Sequence, residues 1–151
     1  MFQNTEHMGK YISALYRSGS MYFNKNFEKY NIGSGQYPLL LSLCHGEGVT
    51  QEELSCKLFI DKGTTAKAIK KLEEEGYVKR EIDDHDKRAY KVYLTDDGRK
   101  IINDIFEVLN SWNNILTSGF TEEEKKLALN LLQRMLENKN KQLKKENVND
   151  W

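Results

Sequence analysis

The chain has 151 residues, 38% hydrophobic and 11% aromatic, and its 23 acidic side chains balance 23 basic ones to a net charge of zero. That length suits one domain, or one domain with extended helical arms, and the aromatic content argues against disorder. With 30% charged residues and no apolar run near the roughly 18 residues of a membrane span, the composition predicts a soluble protein. The N-terminal MFQNTEHMGKYISAL has no basic stretch followed by an apolar block, so no secretory signal is expected and a cytoplasmic location is. A neutral total counts mildly against a nucleic-acid binder, which leaves the distribution of charge to decide.

The first predicted helix carries Ile12, Leu15, Tyr16, Tyr22, Phe23, Phe27 and Tyr30, loosely patterned around Gly19. Ser34 is a plausible cap for a short second helix with Tyr37, Leu40, Leu41, Leu43 and Cys44, ending at Gly46. Pro38 falls in its first turn, where a missing N–H does least harm. Thr50-Gln-Glu-Glu53 has the spacing of a capping box and opens a third helix that reaches Leu58 and buries Leu54 and Leu58. Asp61 caps a fourth helix, which a glycine, Gly76, stops. Beyond it the period changes from 3.6 to 2. Val78, Arg80 and Ile82 share one strand face, Tyr90, Val92 and Leu94 another, and Asp83 to Ala89 form the loop of a two-stranded hairpin. Thr95 caps a fifth helix with Ile101, Ile102, Ile105, Phe106, Leu109, Trp112 and Leu116. A second capping box, Thr121 to Glu124, opens a sixth with Leu127, Leu131, Leu132, Met135 and Leu136, followed by a Lys- and Asn-rich tail. Cys44 and Cys56 lie in helical apolar patterns and are expected to be buried small hydrophobes.

The fold class that results is mainly α with a small β-hairpin, its middle third a winged helix-turn-helix. Only Phe59 and Ile60 join the third and fourth helices, the tight connection of that motif. Wound at 100° per residue, the fourth helix turns Thr65, Ala66, Ile69 and Leu72 to the core. Gly63, Thr64, Lys67, Lys70, Lys71 and Glu74 face outward. From Lys62 to Leu72 there are four lysines and no acid. In a major groove such a helix sets its N-terminal residues at base edges and its lysines near phosphates. Lys62, Gly63, Thr64, Thr65, Lys67, Lys70 and Lys71 are therefore the candidate contacts of a recognition helix. An ordinary solvated lysine face is the plainer alternative. In the hairpin loop, an extended run would set Asp86 beside Arg88, so that the carboxylate holds the guanidinium. Lys87 and Arg88 would then form a tip suited to the negative potential of a minor groove. The plainer alternative there is a surface ion pair of little consequence.

Asp86-Lys87-Arg88, followed after five residues by Leu94-Thr95 and then Gly98, resembles the wing signature of the multiple-antibiotic-resistance regulator (MarR) family. Gln51 to Leu54, Asp61 to Leu72 and Glu75 to Arg80 resemble that family's helix-turn-helix. The resemblance implies a homodimeric transcription factor on a pseudo-palindromic operator, a repressor released by a small ligand. It implies residues 1–33 as an N-terminal dimerisation helix, 34–98 as the winged DNA-binding domain and 99–151 as C-terminal dimerisation helices. Asp61 to Glu75 would be the recognition helix, with Asp86, Lys87 and Arg88 in the wing. Asp83, Asp84 and His85 make this wing tip more acidic than is usual in the family.

Relatives in the family respond to small anionic aromatic ligands. Tyr11, Tyr16, Tyr37, Trp112 and Arg17 are material for such a site, with plain packing the alternative, and no ligand site is assigned. The first helix has no cysteine, which disfavours the family's peroxide-sensing route. His7, His45 and His85 are scattered, so no metal or cofactor is expected. No nucleophile motif or phosphate-binding loop suggests an enzyme. The rival reading is a winged helix used as a protein-interaction module, which a neutral charge and an acidic wing tip would suit.

Overall fold

The computed structural model of the chain describes residues 7–148, with side chains described to residue 142. Contacts divide the chain into two units, one ending at Trp112 and one starting at Asn113. The first holds α1 (Met8–Asn26), a 3-10 turn (Glu28–Tyr30), α2 (Tyr37–Cys44), β1 (Val49–Thr50), α3 (Gln51–Leu58), α4 (Lys62–Glu74), β2 (Val78–Ile82) and β3 (Tyr90–Leu94). α5 (Asp96–Leu116) starts in it, and α6 (Glu122–Val148) lies in the second.

Three leucines of α2, Leu39, Leu40 and Leu43, are fully buried and form the centre of the core with Phe27, Leu54, Ile69, Leu72, Val92 and Ile105. Each of those side chains contributes about 1.5–3 kcal/mol by leaving water. α5 lays Ile101, Ile102 and Ile105 against this cluster on one stripe, at the spacing its sequence predicts. The aromatic side of the core stacks Phe23 on Phe27 and sets Tyr37 and Trp112 against Phe23.

Several expectations need correction. The first helix ends at Asn26 rather than running through Tyr30. Phe27 leaves helical geometry to bury its ring completely, and Asn31 turns the chain at φ 56°, a left-handed conformation that asparagine tolerates. The separate turn is pinned from two sides: the Tyr30 hydroxyl bonds Asp104 of α5, and its carbonyl accepts from the Tyr77 hydroxyl at 3.0 Å. Ser34 caps nothing; α2 starts at Tyr37 after Gln36, whose side chain accepts from the Gly33 N–H at 2.9 Å. Pro38 does sit in the first turn.

Cys44 and Cys56 are both exposed. Leu54, Ser55 and Leu58 define the inward face of α3, and Cys56 is rotated about 150° from its centre at 100° per residue. Cys44 is the last residue of α2, past the edge of the Leu39–Leu40–Leu43 stripe. Ala66 is half-buried while Ala68 is buried, which shifts the inner face of α4 slightly. The Lys- and Asn-rich tail is helical as far as Val148, since Lys, Gln and Glu are good helix formers and no proline or glycine interrupts them.

The hairpin has the expected register, with Val78 opposite Leu94, Arg80 opposite Val92 and Ile82 opposite Tyr90. It is part of a three-stranded antiparallel sheet of order β1-β3-β2, because Val49 and Thr50 pair with Val92 and Lys91. That pairing ties the start of α3 to the wing. Both capping boxes form: Thr50 and Thr121 each accept from the N–H three residues on at 3.2 Å, and Glu53 and Glu124 reciprocate at 2.7 and 2.8 Å. Replacing Thr50 by Ala should lower stability by about 1 kcal/mol, seen as a reduced denaturant midpoint at unchanged slope.

Much apolar surface stays uncovered. On α1, Met8, Tyr11, Ile12, Leu15 and Tyr16 are exposed; on α6, so are Leu127, Leu129, Leu131, Leu132 and Leu136. No helix among the described residues is long and apolar enough to cross a membrane.

Candidate nucleic-acid interface

The turn between α3 and α4 is set by a few bonds. Phe59 takes φ 55°, and Ser55 donates from its hydroxyl to the Ile60 carbonyl at 2.6 Å while accepting the Ile60 N–H on its own carbonyl at 3.1 Å. Asp61 then caps α4: its carboxylate accepts the Thr64 N–H at 2.8 Å and the Thr64 hydroxyl at 2.6 Å. Those two bonds, the hydroxyl's first, hold the Asp61 carboxyl below the ordinary carboxylate range.

α4 buries Thr65, Ala68, Ile69 and Leu72. Lys62, Gly63, Thr64, Lys67 and Lys70 are exposed on its other side and Lys71 is half-buried. Thr65 leaves the set of groove-facing candidates, since its side chain is inaccessible and its hydroxyl donates to the Asp61 carbonyl at 3.0 Å. A Cβ at Gly63 would stand 3.3 Å from the Asp61 carboxylate, so a larger residue would press on the cap.

The lysines are not equivalent. Lys62 is paired with Glu52 of α3 at 2.7 Å, and Lys70 stands 3.9 Å from Glu74. Among the described residues no acid lies within ion-pair distance of Lys67 or Lys71. The zero net charge thus coexists with two lysines on this face, Lys67 and Lys71, that no acid among the described residues pairs.

At the wing, Asp83 donates its N–H to the Ala89 carbonyl at 2.9 Å and closes the loop. Its carboxylate accepts the His85 N–H at 2.9 Å and lies 3.4 Å from Lys91. The bond from His85, ahead of the Lys91 charge, keeps its pKa low. The Asp86 carboxylate accepts the Arg88 N–H at 3.0 Å, and the Ala89 N–H closes a turn onto the Asp86 carbonyl at 2.9 Å. The expected side-by-side arrangement of Asp86 and Arg88 does not form. Residues 86–89 are a turn rather than an extended run, so the carboxylate meets the backbone of Arg88 and not its guanidinium. Asp86, Lys87 and Arg88 are all exposed, and Arg88 borders a cleft of about 430 Å3 shared with Thr50, Gln51 and Glu52 at the start of α3.

The remaining residues of the wing motif have structural work. Thr95 donates its hydroxyl to the Gly76 carbonyl at 2.6 Å, accepts the Gly98 N–H at 3.0 Å, and gives its own N–H to the Tyr77 carbonyl at 3.0 Å. One residue therefore joins the end of α4, the base of the hairpin and the first turn of α5. Gly98 lies against the same carbonyl: a Cβ there would stand 2.1 Å from the Tyr77 oxygen. Two residues to which the sequence assigns no site role, Glu73 and Arg80, bridge α4 to the wing through a 2.6 Å ion pair. Their only sequence signal is opposite charge across the Gly76 turn.

Of the residues that could form a ligand site, Tyr11, Tyr16 and the possible anion partner Arg17 are exposed, whereas Tyr37 and Trp112 pack among Tyr22, Phe23 and Phe27.

A helix-turn-helix with a lysine-bearing second helix, followed by a hairpin with an exposed Lys-Arg tip, defines the class: a winged-helix regulator with a DNA-binding fold. Comparison with known proteins agrees. Residues 30–89 match the MarR family profile. The chain is 31% identical over 127 residues to the HTH-type transcriptional regulator YybA of Bacillus subtilis (strain 168), an alignment spanning 84% of this chain and 85% of that protein. The crystal structure of a MarR transcriptional regulator from Methanosarcina mazei Go1 is 47% identical and superposes with a TM-score of 0.85, covering 89% of this chain and 96% of that one. A Listeria monocytogenes protein solved as a complex with 26mer DNA is 27% identical, with a TM-score of 0.83 and 89% of each chain covered. The chain belongs to the MarR family of transcriptional regulators and is not an enzyme.

Proposed function

We propose that the protein is a homodimeric repressor, acting in the cytoplasm on a pseudo-palindromic operator and released by a small ligand. The positive outer face of α4 is the observation that carries the DNA half of this reading. Lys62, Gly63 and Thr64 stand at the helix start that meets base edges, and Lys67, Lys70 and Lys71 face phosphates. Lys87 and Arg88 reach a minor groove from the wing, and the related Listeria protein holds DNA in its crystal. The dimer half is supported by the uncovered apolar rows of α1 and α6, more than a monomer ordinarily leaves in water. Residues 1–33 and 99–151 supply the dimer in this reading, and 34–98 supply the DNA-binding domain. The release half rests on the family, with a small anionic aromatic compound as the chemical class of effector.

The test is fluorescence anisotropy on the DNA upstream of the protein's own gene, at two salt concentrations, beside a scrambled duplex. Light scattering gives the oligomeric state, and a phenolic carboxylate is titrated into the complex. Salt-sensitive preference for the native duplex by a dimer supports the reading. Equal weak binding to both duplexes, repeated after selection from random sequences, would assign the winged surface to a protein partner instead. Lys67→Ala and Lys71→Ala should each lower affinity on all sequences and flatten the logarithmic salt slope by about one, since each removes one phosphate contact.

A further inference from the structure

Arg80 lies in the middle of β2, and Glu73 near the end of α4. Both Nε and Nη2 of Arg80 donate to one carboxylate oxygen of Glu73, at 3.0 and 2.6 Å. The same guanidinium stands over the Tyr90 ring of β3, 5.8 Å from its centroid. One arginine thus links the recognition helix to both strands of the wing. These side chains are 36% and 35% exposed, against 74% and 68% for the Lys62–Glu52 pair, so solvent screens this contact less than that one.

The placement matters because of how the hairpin is attached. Its base is fixed by the Thr95 bonds to Gly76, Tyr77 and Gly98, and β1 pairs with β3 along one edge. β2 is the other edge and has no strand partner there. Its connection to α4 is the single turn at Gly76, φ 78°. From Gly76 to the loop at Asp83 is about 23 Å at roughly 3.3 Å per residue, so a tilt of about 8° moves it by about 3 Å. That is the length of a hydrogen bond.

We propose that the Glu73–Arg80–Tyr90 contact is a positioning strut that fixes the wing tip relative to α4, so that both elements meet DNA in register. The proposal deepens the DNA-binding reading above and rests on it. It assigns Glu73, a half-buried carboxylate near the C-terminal end of α4, a role that favours binding. Electrostatics alone requires the opposite, since removing an acid near a phosphate backbone should tighten the complex.

The sign is therefore the test. On the operator used above, Glu73→Gln should weaken binding about threefold to tenfold, with the salt slope and the thermal midpoint unchanged. Glu52→Gln is the electrostatic reference: it removes an acid and frees Lys62 without touching the Glu73–Arg80–Tyr90 contact, and should tighten binding. The reversed pair, Glu73→Arg with Arg80→Glu, should recover part of the lost affinity, the ion pair being restored and the Tyr90 contact not. In an Arg88→Ala background, Glu73→Gln should have a smaller effect, because only the Lys87 contact at the tip remains to be misplaced. Tighter or unchanged binding by Glu73→Gln would overturn the strut, and so would a full loss that persists without Arg88. If the wild type shows no operator preference, the DNA-binding reading fails and the strut with it. If the wild type binds and Arg88→Ala weakens it while Glu73→Gln tightens it, the strut alone fails.

Discussion

Gly98→Ala should be the most destabilising change of one methyl group in the winged domain. The added Cβ would stand 2.1 Å from the Tyr77 carbonyl oxygen and 3.1 Å from its carbon, both backbone atoms that cannot rotate away. Relief requires about 1 Å of movement between the first turn of α5 and the base of β2. The Tyr77 carbonyl accepts the Thr95 N–H, and Thr95 holds Gly76 and Gly98, so movement there loosens three elements at once. Overpacking of this kind costs about 1–3 kcal/mol, occasionally more, and the better helix propensity of alanine returns at most about 1 kcal/mol. A net loss of about 2 kcal/mol corresponds to a fall in Tm of roughly 4–8 °C for a chain of this size. Differential scanning calorimetry at fixed protein concentration measures it, with Gly9→Ala as the control. Gly9 lies in the first turn of α1 with open space around it, so that change should leave Tm level or raise it slightly. Trimming Leu94, whose Cδ2 is 3.3 Å away, should not rescue Gly98→Ala, because the obstruction is backbone. A Tm within a degree of wild type would mean that α5 shifts freely on the sheet.

The same region shows why some of the structure was legible from sequence and some was not. Capping boxes at Thr50 and Thr121 are bonds between residues three apart, so a local pattern suffices to find them. The hairpin register follows from period-two alternation that agrees on both strands. β1 has two residues, too few to show any period, and exists only because Val92 and Lys91 offer it partners. The end of α1 was missed for a related reason: nothing near Phe27 breaks a helix, and it is burial of that ring in the core that bends the chain. Cys44 and Cys56 each follow directly on a buried residue, Leu43 and Ser55, and a helix of eight residues leaves the edge of its inner face ambiguous until its neighbours are known. In the candidate site, the lysine face of α4 was readable from its winding. Which lysines are already paired was not, because Glu52 reaches Lys62 from another helix. Thr65 shows the limit of motif reasoning: it sits within the candidate recognition segment, yet its side chain has no access to solvent.

Arg88→Ala should give the largest loss of operator affinity from an exposed residue, about tenfold to a hundredfold, the range of one good arginine contact in a groove. Thermal stability should not change, because the side chain is exposed and joins no ion pair among the described residues. Arg88→Lys should recover part of the loss, since it keeps the charge but not the planar fork. Asp86 then separates two accounts of the wing motif. If its carboxylate served to hold the guanidinium by charge, Asp86→Asn and Asp86→Ala would weaken binding alike. In the structure the Asp86 side chain instead accepts the Arg88 N–H at 3.0 Å within a turn closed by Ala89. An asparagine oxygen can accept that bond equally well and is common in such turns. Asp86→Asn should therefore bind the operator at least as tightly as wild type, having also lost a negative charge beside the phosphates. Asp86→Ala should weaken it, because the loop that presents Lys87 and Arg88 loses its internal acceptor. Anisotropy titrations of the two variants at one salt concentration decide the matter. Equal losses would restore the ion-pair account and imply that Arg88 turns onto Asp86 only when DNA is bound.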